Sequence, residues 1–327
     1  MRASLASVVL LLTTLFPSIT SAAKTNYAYV ADFYSSNVSV INTGNNSVVA
    51  NIPLDSPWGV AINATGTLAC VTDYYEGIVS LISTKTNTVT GTITVGSGPL
   101  GVVFAPKGAN AYVANGNSDS VSVISTTKKT VLHTIPVGSY PYGIVVTPDG
   151  NYLYVANSYS GTVSLISTKT NKVTDTITIG GEPYFLAISP DGSAVYVPAF
   201  SNNSSGNFIA VISTASNTVV NTIAVDSAWG AKVSPDGLWV YATDYVFGEA
   251  DLVTIIDTST QSVAATVVVA YTPLEVAFTE DGAYAYVAST NFPNNGVVSI
   301  IDTSSQSVVD TIGVDSYPIG IAIMGGR

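Results

Sequence analysis

The sequence predicts an all-β protein: a seven-bladed β-propeller of four-stranded antiparallel blades, with the ring closed by its N- and C-terminal strands. Three observations carry this expectation. One short segment returns seven times at a near-constant interval. Each interval holds four short β-branched runs separated by turn residues. Beyond the first residues, no stretch sustains a helical period.

The returning segment is Pro57-Trp58-Gly59, Pro99-Leu100-Gly101, Pro141-Tyr142-Gly143 and Pro183-Tyr184-Phe185. It continues more loosely as Ala228-Trp229-Gly230, Pro273-Leu274-Glu275 and Pro318-Ile319-Gly320. The first three intervals are 42 residues and the last three are 45. From Pro141, the run Gly143 to Val146 predicts a strand, and Thr147-Pro148-Asp149-Gly150 predicts a tight reversal. Tyr152 to Ala156, Thr162 to Ser167 and Val173 to Thr178 predict three more strands, separated by Asn157 to Gly161 and Thr168 to Asn171. A meander of this length is one propeller blade. The first predicted strand, Tyr27 to Ala31, is a second strand of a blade, and the last, Ile319 to Ile323, is a first strand. Pairing the two closes the ring and removes two open edges.

Residues 1–23 read as a signal peptide, and residues 24–327 as the propeller domain. Met1-Arg2 is a positive start, Leu5 to Phe16 is apolar, and Ser21-Ala22-Ala23 supplies small residues for cleavage. The expected location is secreted, extracellular or cell-surface, or periplasmic in a Gram-negative cell. No apolar run of about 18 residues follows the leader, so no transmembrane segment is expected in the mature chain. Charged residues make up 9% of the chain and hydrophobic ones 47%, ample for a core and unlike a disordered chain. The net charge of −11 argues against a nucleic-acid partner, whose phosphates need a basic face. The single cysteine, Cys70, has no internal disulfide partner and stands where other units carry Tyr, which predicts a buried, inert thiol.

Tyr112-Val113-Ala114-Asn115 and Tyr154-Val155-Ala156-Asn157, each followed by Val-Ser-(Val/Leu)-Ile-Ser-Thr, resemble the YVTN-type β-propeller repeats. Cys70-Val71-Thr72-Asp73 and Tyr241-Ala242-Thr243-Asp244 are looser copies. The resemblance covers all seven units and implies the same propeller fold in a secreted or cell-surface protein of bacteria or archaea. It implies no particular activity, because a fold does not fix a function.

The loops that lead into the first strands and those that join second to third strands share one face, here the upper face. It collects Asp32, Asp55, Asp73, Glu76, Asp119, Glu182, Asp226, Asp244, Glu249, Asp251, Glu275 and Asp315, with no Lys or Arg in these loops. Aromatic residues gather there too. Trp58, Tyr142, Tyr184 and Trp229 come from the repeated anchors, Tyr140, Tyr271 and Tyr317 just before them, and Tyr74, Tyr75, Tyr159, Tyr245 and Phe247 from the loops. The candidate ligand-binding set is Trp58, Tyr74, Tyr75, Tyr142, Tyr159, Tyr184, Trp229, Tyr245, Phe247 and Glu249. Aromatic rings beside carboxylates suit a neutral or cationic ligand, a glycan or a protein. The plainer reading is that the anchor rings plug the axis.

Asp32, Asp73, Asn115, Asn157 and Asp244 close the second strands, where turn formation explains them better than a ligand ring does. The anchor glycines fit a crowded axis. Lys232 stands where other units carry Ala or Val, and Glu275 where they carry Gly, so the two are expected to line the channel as a structural pair. The lone histidine, His133, falls on an outermost strand. That excludes a Ser-His-Asp triad, a multi-histidine metal site and bis-histidine haem ligation. No catalytic residue, metal site or cofactor is expected. The function expected is a non-catalytic binding or interaction module. A structural surface-layer-type protein is the alternative, and a carboxylate-dependent hydrolase a more distant one.

Overall fold

The computed structural model describes residues 26–106, 108, 110–201, 206–244, 251–291 and 293–324. The leader, and Tyr245, Phe247 and Glu249 of the candidate set, lie outside the described residues. The strands form seven separate antiparallel sheets. The protein is a seven-bladed β-propeller.

Blade 4 shows the unit. Pro141–Val146, Tyr152–Asn157, Thr162–Ser167 and Lys172–Thr178 pair in that order from the axis outward. The innermost strands of the other blades are Pro318–Ile323 (blade 1), Pro57–Ile62 (blade 2) and Pro99–Phe104 (blade 3). Blade 5 has two short pieces, Glu182–Pro183 and Ala187–Ile188, followed by Gly230–Val233 in blade 6 and Thr272–Phe278 in blade 7. In blade 1 the C-terminal strand pairs with Tyr27–Asp32 in the register Ala28↔Ile323, Tyr29↔Ala322 and Val30↔Ile321. The ring closes as expected.

Burial explains why the middle strands read as continuous apolar runs. Both faces of a second or third strand pack against neighbouring blades, so Leu153, Tyr154, Val155 and Ala156 are all buried. Blade 4 meets blade 5 through Tyr154, Ala156 and Ile177 against Val195, Val197 and Ala210. The outermost strand has only its inner end covered. In Lys172–Thr178 only Ile177 is fully buried, and Ile93 and Ile135 repeat this in blades 2 and 3.

Three devices seal the seams. First, the anchor glycines admit the next blade's backbone. A Cβ on Gly59 would lie 2.3 Å from the Leu100 carbonyl oxygen, and one on Gly101 would lie 2.5 Å from that of Tyr142. Second, three second-strand tyrosines reach the corner of the next blade. Tyr29, Tyr154 and Tyr286 donate to the side-chain oxygens of Asn87, Asn217 and Asn46 at 2.6, 2.7 and 2.8 Å. These asparagines have φ of 52°, 55° and 54°, a left-handed corner that Asn tolerates. The seam between blades 2 and 3 lacks both partners of the clasp: buried Cys70 of blade 2 replaces the tyrosine and Lys129 of blade 3 replaces the asparagine. Lys129 instead donates from Nζ to the Thr90 carbonyl at 2.6 Å.

Third, the Asx residues ending the second strands bond to third-strand hydroxyls. Ser39 donates to Asp32 at 2.6 Å and Thr254 to Asp244 at 3.0 Å, while Asn115 and Asn157 donate to Ser122 and Ser164 at 2.9 Å. Their role is structural, as expected, but it ties strand to strand as well as shaping the turn. Asp73 also accepts the Ser56 N–H at 2.7 Å. Asp32 and Asp244 each keep one buried carboxylate oxygen without a donor. Burial pushes the pKa of each up to about 7, against hydroxyl bonds that lower it.

Candidate functional site

The second residue of each anchor sits at the upper end of the axis, and the loops before the anchors lie beside the loops after the second strands. Tyr74 N–H donates to the Ser56 carbonyl at 2.9 Å, and Ser158 N–H to that of Tyr140 at 3.0 Å. The upper face is therefore assembled as the topology requires. At its centre is a pocket of about 210 Å³, walled by Trp58, Tyr140, Tyr142, Tyr159, Tyr184, Trp229 and Tyr317, with Leu274 and Ile319 between them.

The rings hold one another. Tyr184 stacks on Trp229 with centroids 4.2 Å apart, and Tyr140 on Tyr159 at 4.5 Å. Tyr142 stands edge-on to Trp58, Tyr184 and Trp229 at 6.0, 5.3 and 5.6 Å. It is only 3% exposed and forms the floor. The Tyr142 hydroxyl and the Trp58 indole N–H are both buried, and neither has a partner in hydrogen-bonding geometry. Burial raises the Tyr142 phenol well above its usual pKa, with a smaller opposing effect from the nearby Trp58 N–H. Tyr140 is pushed up too, by burial and then by the neighbouring Tyr74 hydroxyl. These phenols stay neutral at physiological pH.

Tyr140 and Tyr317, expected among the upper-face aromatics but outside the candidate ligand-binding set, also wall the pocket. Their φ values are 54° and 62°, close to the 61° of Gly98, which holds the same place before an anchor proline. A tyrosine held in this left-handed region costs on the order of 1 kcal/mol or more. The signal was available in the alignment of units, since two blades place Tyr where another places Gly.

Of the candidate set, Trp58, Tyr142, Tyr159, Tyr184 and Trp229 wall the pocket. Tyr74 and Tyr75 belong to an adjoining patch with Phe33 and Tyr34. The patch joins the pocket through Trp58, whose centroid is 5.5 Å from that of Tyr74. Tyr75 is 73% exposed at its edge. The rim is less acidic than the sequence implies, because Asp32, Asp73 and Asp244 are buried in the blades. Asp55, Glu76, Asp119 and Asp226 remain exposed around it.

Glu275 is not on the rim either. It lines a second axial cavity of about 390 Å³, together with Lys232, Phe185 and the aliphatic inner strands. Phe185 meets the Tyr142 ring edge-on at 5.1 Å, so these two rings stand between the compartments. Lys232 and Glu275 share this cavity, but the Glu275 carboxylate accepts the Ile321 N–H at 3.0 Å and feels Lys232 through charge alone. Burial raises the Glu275 pKa to about 7, and Lys232 and the N–H pull it down.

A family described as YNCE-like beta-propeller matches residues 88–199, about a third of the chain, centred on blades 3 and 4. No curated protein sequence matches. Among solved structures, the hydrazine synthase of Kuenenia stuttgartiensis is 26% identical with a TM-score of 0.70, over 76% of this chain and 77% of that one. A protein of unknown function from Desulfotomaculum acetoxidans DSM 771 is 18% identical with a TM-score of 0.79, over 93% of this chain and 100% of its own. The dihydro-heme d1 dehydrogenase NirN, in complex with DHE, is 15% identical with a TM-score of 0.69, over 91% and 75%. What these proteins share with the chain is the propeller.

Proposed function

We propose that the protein is an exported, non-catalytic propeller of the YVTN-type repeat class that binds a neutral or cationic partner at its upper axial pocket. The observation that carries this reading is the pair Tyr140 and Tyr317. Both are held at positive φ where the repeat elsewhere uses Gly98, and both contribute a ring to the same pocket. Backbone strain of this kind persists where surrounding structure enforces it, and it gathers at ligand sites. The exposed acids around the rim favour a partner without net negative charge.

The enzymatic neighbours suggest a rival, a catalytic propeller. Among the described residues the pocket wall offers aromatic and aliphatic side chains, with no carboxylate or imidazole for proton transfer. His133 is exposed on the outermost strand Thr130–Pro136. Screening the purified protein by ligand-observed NMR against glycans, amines and peptides tests the proposal. A bound ligand should be lost on Tyr140→Gly and Tyr159→Ala, while both variants keep the parent melting profile. Binding that survives both variants places the site elsewhere.

A further inference from the structure

We propose that the lower axial cavity is a second binding site, for a monocarboxylic acid with an apolar body: the carboxylate meets the Lys232 ammonium and the body lies against the aliphatic inner strands. This site is separate from the upper pocket, and neither reading depends on the other. The cavity of about 390 Å³ falls within the range of roughly 300–1,000 Å³ usual for small-molecule sites. Phe185, backed by Tyr142, roofs it. Its lining runs down to Ala64, Ala105 and Pro106 beside the lower turns, which keep solvent exposure, so it opens on the lower face.

The lining is divided. In the strand Gly230–Val233, Lys232 is exposed between buried Ala231 and Val233, and the space it faces is this cavity. Among the described residues its ammonium has no hydrogen bond or ion pair, and it meets Glu275 through charge alone. Across the axis, the equivalent positions of blades 2, 3 and 4 are Ala61, Val103 and Val145, all partly exposed to the same space. Among the described residues no hydroxyl, amide or second cationic side chain lines the cavity. A sugar would leave its hydroxyls without side-chain partners, and a dianion would meet one cation beside a carboxylate. An amine would face the Lys232 charge, and Glu275 is already held by the Ile321 N–H. One negative group on an apolar body matches both halves of the lining: the carboxylate accepts from the ammonium, and the body covers the aliphatic wall. Lys232 and Glu275 are the only titratable side chains lining the cavity among the described residues, and burial raises the Glu275 pKa to about 7. A neutral Glu275 no longer repels the ligand and offers an O–H donor, so binding strengthens as pH falls through 7.

The test is calorimetry on the full chain with octanoate and phenylacetate, and with octylammonium, octanol, acetate and phosphate as controls. Octanoate or phenylacetate should bind at least about tenfold more tightly than any control. Lys232→Met keeps an unbranched side chain and removes the charge, and should weaken binding at least about tenfold, the worth of one charge-assisted hydrogen bond. From pH 8 to pH 6 the parent affinity should rise by up to about tenfold, following the neutral fraction of Glu275, since the probe's own carboxyl titrates well below this range. Glu275→Gln should bind at pH 8 as the parent does at pH 6, with a flat profile. A parent profile without the rise, or a Glu275→Gln profile that keeps it, overturns the site, and these two profiles decide alone if Lys232→Met does not fold. Octanol or octylammonium binding as tightly as octanoate removes the role of Lys232 and overturns the proposal. Loss on Tyr159→Ala with retention in Lys232→Met puts the acid in the upper pocket and overturns it too. If neither acid binds, the proposal falls and the upper-pocket reading is untouched.

Discussion

Blades 2 to 4 and blades 5 to 7 meet the same crowding at the axis in different ways. In the first arc, Gly59, Gly101 and Gly143 leave no side chain at the seam, and the neighbouring carbonyl comes within the reach of a missing Cβ. In the second arc, Phe185 and Glu275 stand at the equivalent positions, and Lys232 lies two residues beyond Gly230. A side chain there has nowhere to go but the axis, so all three line the lower cavity. The inner strand of blade 5 is divided around Tyr184 to Leu186, where Phe185 replaces the glycine. The regular arc builds the ring, and the irregular arc gives its channel an uneven, charged lining. The stretch matching the YNCE-like family, residues 88–199, is centred on the regular arc.

The largest effect should come from filling a regular seam. Gly101→Val sets a branched side chain against a backbone carbonyl that cannot turn away, and should destabilise the protein by about 3 kcal/mol or prevent folding. Glu275→Gly in the irregular arc should fold normally. A Gly101→Val protein with the parent urea midpoint would erase the distinction between the arcs.

The second effect is a response to pH. Asp32, Asp244 and Glu275 have folded-state pKa values of about 7, raised by burial. The native state therefore keeps protons that the unfolded chain releases at about pH 4. Stability from this source is complete below about pH 4 and falls as pH rises toward 7. Exposed Asp149, Asp191 and Asp281, and half-buried Asp257 and Asp302, are held low mainly by neighbouring hydroxyl and backbone donors. They act the opposite way only at lower pH, and water screens them. The melting temperature should therefore rise on going from pH 8 to pH 5. Asp32→Asn copies the Asn115 and Asn157 of blades 3 and 4, and should raise melting at pH 8 with little change at pH 5. A parent profile that falls on acidification to pH 5 would contradict the burial of these acids.

A third experiment compares the two seams on either side of blade 2. Cys70→Tyr with Lys129→Asn should install at blades 2 and 3 the clasp that Tyr29 and Asn87 make at blades 1 and 2. A double-mutant cycle should show a favourable coupling of about 1 kcal/mol, which neither single change gives. Additivity would mean that the tyrosine cannot reach the corner.

The smallest change is expected for Glu275→Gln. An amide oxygen still accepts the Ile321 N–H, and Lys232 faces the cavity, so the denaturant midpoint at pH 7 should move by less than about 1 kcal/mol. A larger loss would show that the two charges support each other strongly.

The fold was legible because a propeller repeats its physics. Anchor glycines, turn residues and twice-buried middle strands recur, and the offset of Tyr27 and Ile323 foretold the closing pair. The site was legible in part. Anchor position alone brought Trp58, Tyr142, Tyr184 and Trp229 to the axis. Tyr140 and Tyr317 were harder to see, because their significance lies in a backbone angle that only Gly98 hints at. Counting acids along the upper loops also overstated the rim charge. Loop position does not reveal that Asp32, Asp73 and Asp244 turn inward to hydroxyls, or that Glu275 points down the axis.

The closing strand pair has one more consequence. Tyr27 begins its strand and Ile323 ends its own at the lower face, where the Met324 N–H donates to the Tyr27 carbonyl at 2.8 Å. Anything joined to the ring through either of these ends departs from the side opposite the aromatic pocket. A tether would hold the pocket outward, and a tag or fused partner added there would leave its mouth unobstructed. The same proximity makes the ring a good subject for circular permutation: a short linker could join the two ends, and new termini could be opened at any lower turn without reversing the direction in which the pocket looks.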